Sequence, residues 1–82
     1  MVDFLMLTAF NEAGYRFFFY SNDHLPIHVH VRYQGGEAVF NVEEGVDLRE
    51  SHGLNMKELS IAEDLANSHR TQIIEKWHEY FD

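Results

Sequence analysis

The sequence predicts an α+β fold, in which a small antiparallel β-sheet of three to five strands carries two C-terminal helices packed on one face. Short runs rich in aromatic and β-branched residues, separated by turn-forming residues, fill the first half of the chain. From Asn55 onward, apolar residues recur instead at the three- and four-residue spacing of a helix. Strands that all precede the helices are typical of the α+β class. A length of 82 residues fits a single domain, residues 1–82.

Five segments have the composition of strands, and Gly, Asn and Pro mark the turns between them. The predicted strands are residues 3–10, 15–20, 27–33, 37–42 and, as a short last strand, 46–48. The pair Gly35-Gly36 indicates a tight hairpin reversal before the fourth strand. Alternate residues of a strand point to the same side of a sheet. We therefore expect Ala38, Phe40 and Val42 to share one face.

The second strand carries three consecutive phenylalanines, Phe17, Phe18 and Phe19. Alternation places these rings on both faces of the sheet. A strand with one solvent-exposed face would not have this pattern. Two interpretations follow: a central strand inside an aromatic core, or a strand with one face in a homodimer interface.

Two helices are predicted after the sheet. Asn55 and Glu58 have the spacing of a capping box, with Asn in place of the usual Ser or Thr. Ser68 is predicted to be the N-cap of the second helix or a kink between the two helices. The apolar residues at helical spacing are expected to be core anchors; they are Leu59, Ala62, Leu65, Ala66, Ile73, Trp77, Tyr80 and Phe81.

The charge balance excludes some classes of function. Fourteen acidic and six basic residues give a net charge of −8 with neutral histidines. Direct binding of nucleic acid is not expected, because phosphate contacts need clustered Lys and Arg. A basic protein partner fits this charge better. There is no apolar run of the roughly 20 residues that a membrane span needs, and no basic signal segment at the N-terminus, so a cytoplasmic protein is expected.

Three of the six histidines lie within seven residues, at the spacing H-x-x-x-H-x-H: His24, His28 and His30. On a strand, His28 and His30 face the same side of the sheet. Two imidazoles on one face, with a third nearby, can bind zinc or another divalent metal, or transfer protons. Because the chain has no cysteine, a metal site would use nitrogen and oxygen ligands only. His24 or Asp23 is the candidate third ligand if the turn folds back, and His69 or a carboxylate from the helices is the candidate fourth.

The residues around this cluster have alternative interpretations. Asn22 and Asp23 are predicted to shape the turn before Pro26, and Asp23 also to orient a histidine. Arg32 lies on the same face as His28 and His30, so the three are candidate catalytic residues with Arg32 holding an anion. The simpler interpretation of Arg32 is a cross-strand ion pair with Glu37.

These residues resemble the bacterial family catalogued as domain of unknown function 4160, over about residues 14–82. The resemblance lies in the segments GYRFFFYSND (14–23), PIHVHV (26–31), GLNMKEL (53–59) and WHEYF (77–81). The chain has Pro26-Ile27 where the family usually has two prolines, and residues 41–47 are more acidic than in many relatives. The resemblance implies a small bacterial intracellular protein, in a family some of whose members are labelled toxin–antitoxin-like.

Three classes of function follow. The first is a protein-binding or regulatory module, as one member of a toxin–antitoxin-like pair. The second is a histidine- or metal-dependent hydrolase or nuclease that uses the cluster of His24, His28 and His30. The third is a structural homodimer. Convergence of the imidazole nitrogens in a concave site would favour the second class, and splayed rings on a flat face would favour the first.

Overall fold

The computed structural model describes residues 5–82 as five strands followed by two helices. The strands are β1 (Met6–Glu12), β2 (Tyr15–Tyr20), β3 (His28–Tyr33), β4 (Gly36–Asn41) and β5 (Asp47–His52), and the helices are α1 (Met56–Ser68) and α2 (Arg70–Phe81). The strands form one antiparallel sheet in the order β1-β2-β3-β4-β5. The predicted α+β class is confirmed. Neither helix of the described residues is long and apolar enough to cross a membrane.

The first hairpin turn is tighter than the sequence predicted. Its two central residues, Ala13 and Gly14, have φ values of 53° and 82°. Positive φ at both positions gives the twist that joins adjacent antiparallel strands. Strand β1 therefore continues to Glu12, whereas the first strand was predicted to end at residue 10. The predicted start of that strand, at residues 3 and 4, lies outside the described residues.

Strand β5 is longer than predicted. It runs through Asp47–His52, where residues 46–48 were expected. Five of its six residues are exposed, and most of them are polar. A strand without a buried face has no need of alternating apolar residues, which are the sequence signal of a half-buried strand. Pairing with β4 forms this strand, and that pairing is not visible in the side-chain pattern.

The two helices meet at His69, one residue after the predicted site. The capping box of α1 is present: Glu58 N–H donates to Asn55 Oδ1 at 2.8 Å, and Asn55 N–H donates to Glu58 Oε1 at 2.9 Å. Ser68 is the last residue of α1 and does not cap α2. The N-cap position of α2 is His69, whose side chain makes no cap hydrogen bond.

The helices cover one face of the sheet, where the core lies. Alternate residues of β2, β3 and β4 join residues of both helices in a single apolar cluster; its large or central members are Phe17, Phe19, Val29, Val31, Phe40, Ala62, Ala66, Ile73 and Trp77. Ala38, Phe40 and Val42 belong to this cluster, as predicted.

Phe18 points to the other face of the sheet, yet it is completely buried. His30 stacks on its ring with centroids 5.4 Å apart, and Tyr20 contacts it edge-on at 5.2 Å. The guanidinium carbons of Arg16 and Arg32 lie 5.7 and 5.4 Å from its centroid. The prediction of an interior strand in an aromatic core is confirmed, and the three phenylalanines leave no exposed ring for a homodimer face.

Both edges of the sheet carry a β-bulge. The extra residue is Ala9 in β1 and Arg49 in β5. A bulge bends an edge strand and interrupts its regular row of hydrogen-bonding groups. The bulges therefore make the two edges poor templates for continuous pairing with another strand.

We expect Gly36→Ala to destabilise the fold. Gly36, the first residue of β4, lies against the backbone of Gly53, which follows β5 directly. A Cβ on Gly36 would lie 2.6 Å from the Gly53 carbonyl oxygen and 2.6 Å from Leu54 Cδ2. Relieving overpacking of this kind costs about 1–3 kcal/mol. Urea unfolding would measure the loss, with the exposed Glu50→Ala as a control within about 0.5 kcal/mol of wild type. A Gly36→Ala variant as stable as wild type would contradict the close approach.

Candidate functional site

The loop between β2 and β3 forms a turn that Asp23 closes. Asp23 N–H donates to the Tyr20 carbonyl oxygen at 2.9 Å, and Tyr20 N–H donates to Asp23 Oδ2 at 2.8 Å. Asp23 thus bonds the turn backbone through its N–H and its carboxylate, and Asn22 is exposed in the same turn. The loop returns to the sheet through a cis Leu25–Pro26 peptide bond.

This turn places the Asp23 carboxylate against two histidines of β3. Asp23 Oδ1 lies 3.3 Å from His28 Nε2, and Asp23 Oδ2 lies 3.1 Å from His30 Nε2. One ligand atom from each of the three residues lies within 4.8 Å of the others. The three side chains are largely buried, with 10% of Asp23, 7% of His28 and 18% of His30 exposed. The imidazoles converge on one carboxylate and do not splay apart.

The hydrogen bonding of His28 leaves two acceptor atoms facing each other, a contact that a cation between them would make favourable. His28 Nδ1 lies 2.8 Å from the Pro26 carbonyl oxygen. A carbonyl oxygen can only accept, so Nδ1 carries the proton, and Nε2 of the neutral ring is a bare lone pair. That lone pair faces a carboxylate oxygen, which is also an acceptor. The contact becomes favourable when a proton or a metal ion lies between the two atoms.

The same arrangement is common in metal centres. A ligating histidine usually donates its other ring N–H to a carbonyl or carboxylate, which fixes the tautomer and the ring orientation. Bonds of about 2.0–2.1 Å in tetrahedral geometry place neighbouring zinc ligands about 3.3 Å apart. Asp23 Oδ1 lies 3.3 Å from His28 Nε2 and 3.2 Å from His30 Nε2, which is close to that separation. Two histidines and one carboxylate are also the ligand set of several non-haem metal sites.

His30 is held by aromatic packing as well as by Asp23. Its ring stacks on Phe18 and contacts Tyr20 edge-on, with centroids 4.7 Å apart. Burial lowers the pKa of His30 below the usual 6.5; Asp23 opposes this shift, and the neighbouring His28 adds to it. The neutral ring, which is the form that binds metals, is therefore the stable one at neutral pH.

The structure brings together two of the three predicted ligands. His24 is exposed and lies outside the group, and the third position belongs to Asp23, the alternative candidate for it. His69 is also outside the group, because its Nε2 pairs with Glu12 Oε1 at 2.9 Å. The sequence left His24 and Asp23 open as the third ligand, because both lie just before the histidine strand and the path of the turn is not visible in the sequence.

Arg32 forms the cross-strand ion pair with Glu37 that was the simpler interpretation of this residue. Its Nε donates to Glu37 Oε1 at 2.9 Å, across the β3–β4 ladder. Arg32 also lies on the face of Phe18 and His30, as predicted. It is not one of the three residues that converge, so its side chain is committed to the sheet surface and not to the centre at Asp23.

A cleft of about 460 Å³ opens beside this group. The β2–β3 loop forms one side of the cleft and the end of α2 forms the other; its lining includes Asp23, His24, Leu25, Trp77, His78 and Phe81. Ligand sites usually have volumes of about 300–1,000 Å³. The Trp77 ring also contacts the His28 ring, with centroids 5.4 Å apart. The cleft therefore adjoins the Asp23 side of the group.

Comparison with protein families gives one match. The model of the family described as Domain of unknown function (DUF4160) covers residues 14–78. The chain belongs to this family. The resemblance inferred from the sequence motifs is thus confirmed, and the match spans the turn, both strand histidines and most of α2. No curated protein and no solved structure matches the chain.

The lowered pKa of His30 predicts a loss of stability in mild acid. As the pH falls through about 6.5, the unfolded chain takes up a proton on this ring that the folded chain resists. The free energy of unfolding of this DUF4160 protein should therefore decrease from pH 7.5 to pH 5.5. Urea unfolding at both pH values should show a smaller decrease for His30→Gln. His52→Gln, at a ring that is 81% exposed, should behave as wild type. An equal decrease in all three proteins would contradict the prediction.

Proposed function

We propose that Asp23, His28 and His30 bind a divalent metal ion, with zinc as the first candidate, and that the protein is a metal-dependent hydrolase. The observation that carries this proposal is the His28 geometry: Nδ1 donates to the Pro26 carbonyl while Nε2 faces the Asp23 carboxylate. A metal ion at this position satisfies two acceptors that otherwise face each other.

The number of ligands supports hydrolysis over a purely structural role. Structural zinc sites usually have four protein ligands, whereas catalytic sites have three and keep one position open for water or substrate. The group found within residues 5–82 has three members. An open position next to the cleft would give a substrate access to the ion. The chain has a net charge of −8, and a divalent ion would make the surroundings of the site less negative.

The test is hydrolysis of model substrates by the zinc-loaded protein. We would assay p-nitrophenyl acetate and bis(p-nitrophenyl) phosphate, which separate ester from phosphodiester chemistry. Activity should be lost in Asp23→Ala and after chelation, and retained in His24→Ala, a histidine of the same loop outside the group. Zinc binding without activity on either substrate would reject the hydrolase and keep the metal site. No zinc binding would reject both.

A second candidate is a protein-binding or regulatory module, in a toxin–antitoxin-like pair. Leu25, at 71% exposure, lies on the rim of the cleft with Phe81 and His78. An exposed apolar side chain on an acidic protein suits a partner with a basic, apolar surface. Affinity purification from a bacterial cytoplasm, the location implied by the family, should recover one specific partner, and Leu25→Asp should release it. A homodimer would appear instead as doubled mass in light scattering.

A further inference from the structure

The face of the sheet that carries no helix has a polar row running across all five strands. The ladder pairs Asn11 with Arg16, Arg16 with Arg32, Arg32 with Glu37, and Glu37 with His52. Among the strand pairs of residues 5–82, Arg16 and Arg32 are the one case in which two basic residues stand directly opposite each other. In a chain with six basic and fourteen acidic residues, this juxtaposition is unusual.

Like charges directly opposite each other destabilise a sheet, so the pair needs compensation. Phe18 supplies part of it, because both guanidinium carbons lie within 6 Å of its ring centroid. Glu37 supplies the rest to Arg32 alone. Arg16 Nη2 donates to a neutral group, Thr8 Oγ1, at 3.1 Å. The row thus holds two guanidiniums and one carboxylate, which pairs with Arg32 alone, and it keeps one net positive charge.

We propose that Arg16 and Arg32 form a binding site for a phosphate group, either free phosphate or a phosphate monoester. The two guanidiniums come from adjacent strands over one aromatic ring, and such donors suit the several oxygens of a phosphate. Arg32 and Glu37 are 42% and 45% exposed, so a ligand can reach them from solvent. The site goes beyond the proposed metal centre and does not require it.

Glu37 is a competitor of the ligand in this arrangement. Its carboxylate occupies donors of Arg32 that a phosphate would use. Removing that charge should therefore strengthen phosphate binding, even though it removes an ion pair from the fold. A purely structural ion pair between Arg32 and Glu37 predicts no gain of affinity on mutation of Glu37.

The experiment is thermal unfolding of the full chain in a chelating buffer at pH 7.5, with added phosphate and with chloride at equal ionic strength. Phosphate also stabilises proteins by general exclusion, but that effect is not saturable and is shared by all variants. Wild type should show an additional, saturable rise in Tm. Arg16→Gln should weaken this binding about tenfold, as expected for the loss of a charge-assisted hydrogen bond. Glu37→Gln should strengthen it several-fold.

Arg49→Gln is the matched control, since Arg49 is an exposed arginine on β5 outside the row. It should bind phosphate as wild type does. Phosphorus NMR titration of the same variants would measure binding directly, and circular dichroism would verify that each is folded. Tighter binding of phenyl phosphate than of phosphate would assign a monoester, and the reverse order would assign free phosphate. An equal response of all variants, or a wild-type response matched by chloride, would overturn the proposal.

Discussion

Asp23→Ala, His28→Ala and His30→Ala should each lose zinc binding, and these are the largest functional effects that we expect. Each variant removes one of three ligands. Loss of a residue that merely orients a ligand already weakens metal binding by about 10- to 100-fold. Loss of the ligand itself should exceed about 100-fold. Calorimetry at pH 7.5 would measure the affinities directly.

Two further readouts follow from the position of the site. The single tryptophan, Trp77, lies 5.4 Å from the His28 ring, so Co²⁺ in the site should quench its fluorescence. Zinc at 100 times its Kd should stabilise the folded state by about 2.7 kcal/mol. For a domain of this size, that corresponds to a rise in Tm of roughly 10–20 °C. Both effects should disappear in the three variants.

His24→Ala is the control that separates the structural assignment from the sequence pattern. His24 belongs to the same sequence cluster but is exposed and outside the converging group. It should keep wild-type affinity to within a few-fold. If His24→Ala lost zinc as completely as His28→Ala, the ligand set would be wrong. If wild type bound no zinc, the metal site would be rejected.

Phe18→Ala should produce the second large effect, on stability. The ring is completely buried even though it points away from the helices. Truncation of a buried phenylalanine costs about 3–5 kcal/mol. Native domains are stable by about 0.05–0.15 kcal/mol per residue, so this loss is a large part of the total for such a short chain. Urea unfolding should show a much lower midpoint or an unfolded protein.

Leu25→Ala is the control, because Leu25 is 71% exposed and its truncation should change stability by no more than about 0.5 kcal/mol. Phe18→Leu keeps most of the apolar volume but removes the aromatic face that His30, Arg16 and Arg32 contact. It should cost less than the alanine variant. If the free energy of unfolding of Phe18→Ala lay within about 1 kcal/mol of the wild-type value, the buried Phe18 ring would not contribute to stability as a core residue does.

The order and type of the elements could be predicted from the sequence because they depend on local patterns. The boundaries of β2 followed from its strand-forming composition and the turn residues beside it, and the faces of β4 followed from alternation. The start of α1 followed from the Asn55–Glu58 capping box. The same reasoning failed where no local pattern exists. Strand β5 is polar and exposed, and only its pairing with β4 makes it a strand. The break at His69 was predicted one residue too early. Serine is a common N-cap residue, but Ser68 is the last residue of α1 and does not occupy the N-cap position of α2.

The sequence by itself determined that His28 and His30 share one face of a strand, since that follows from the geometry of the backbone. It also determined that Phe17 and Phe19 lie opposite Phe18. Only the tertiary structure decided that Asp23, and not His24, meets the two imidazoles. That choice depends on how the β2–β3 loop folds back, through the Asp23–Tyr20 hydrogen bonds and the chain path at Pro26. The path of a loop is set by its own hydrogen bonds and by packing, so the spacing of Asp23, His28 and His30 in the sequence does not fix the distances between their side chains.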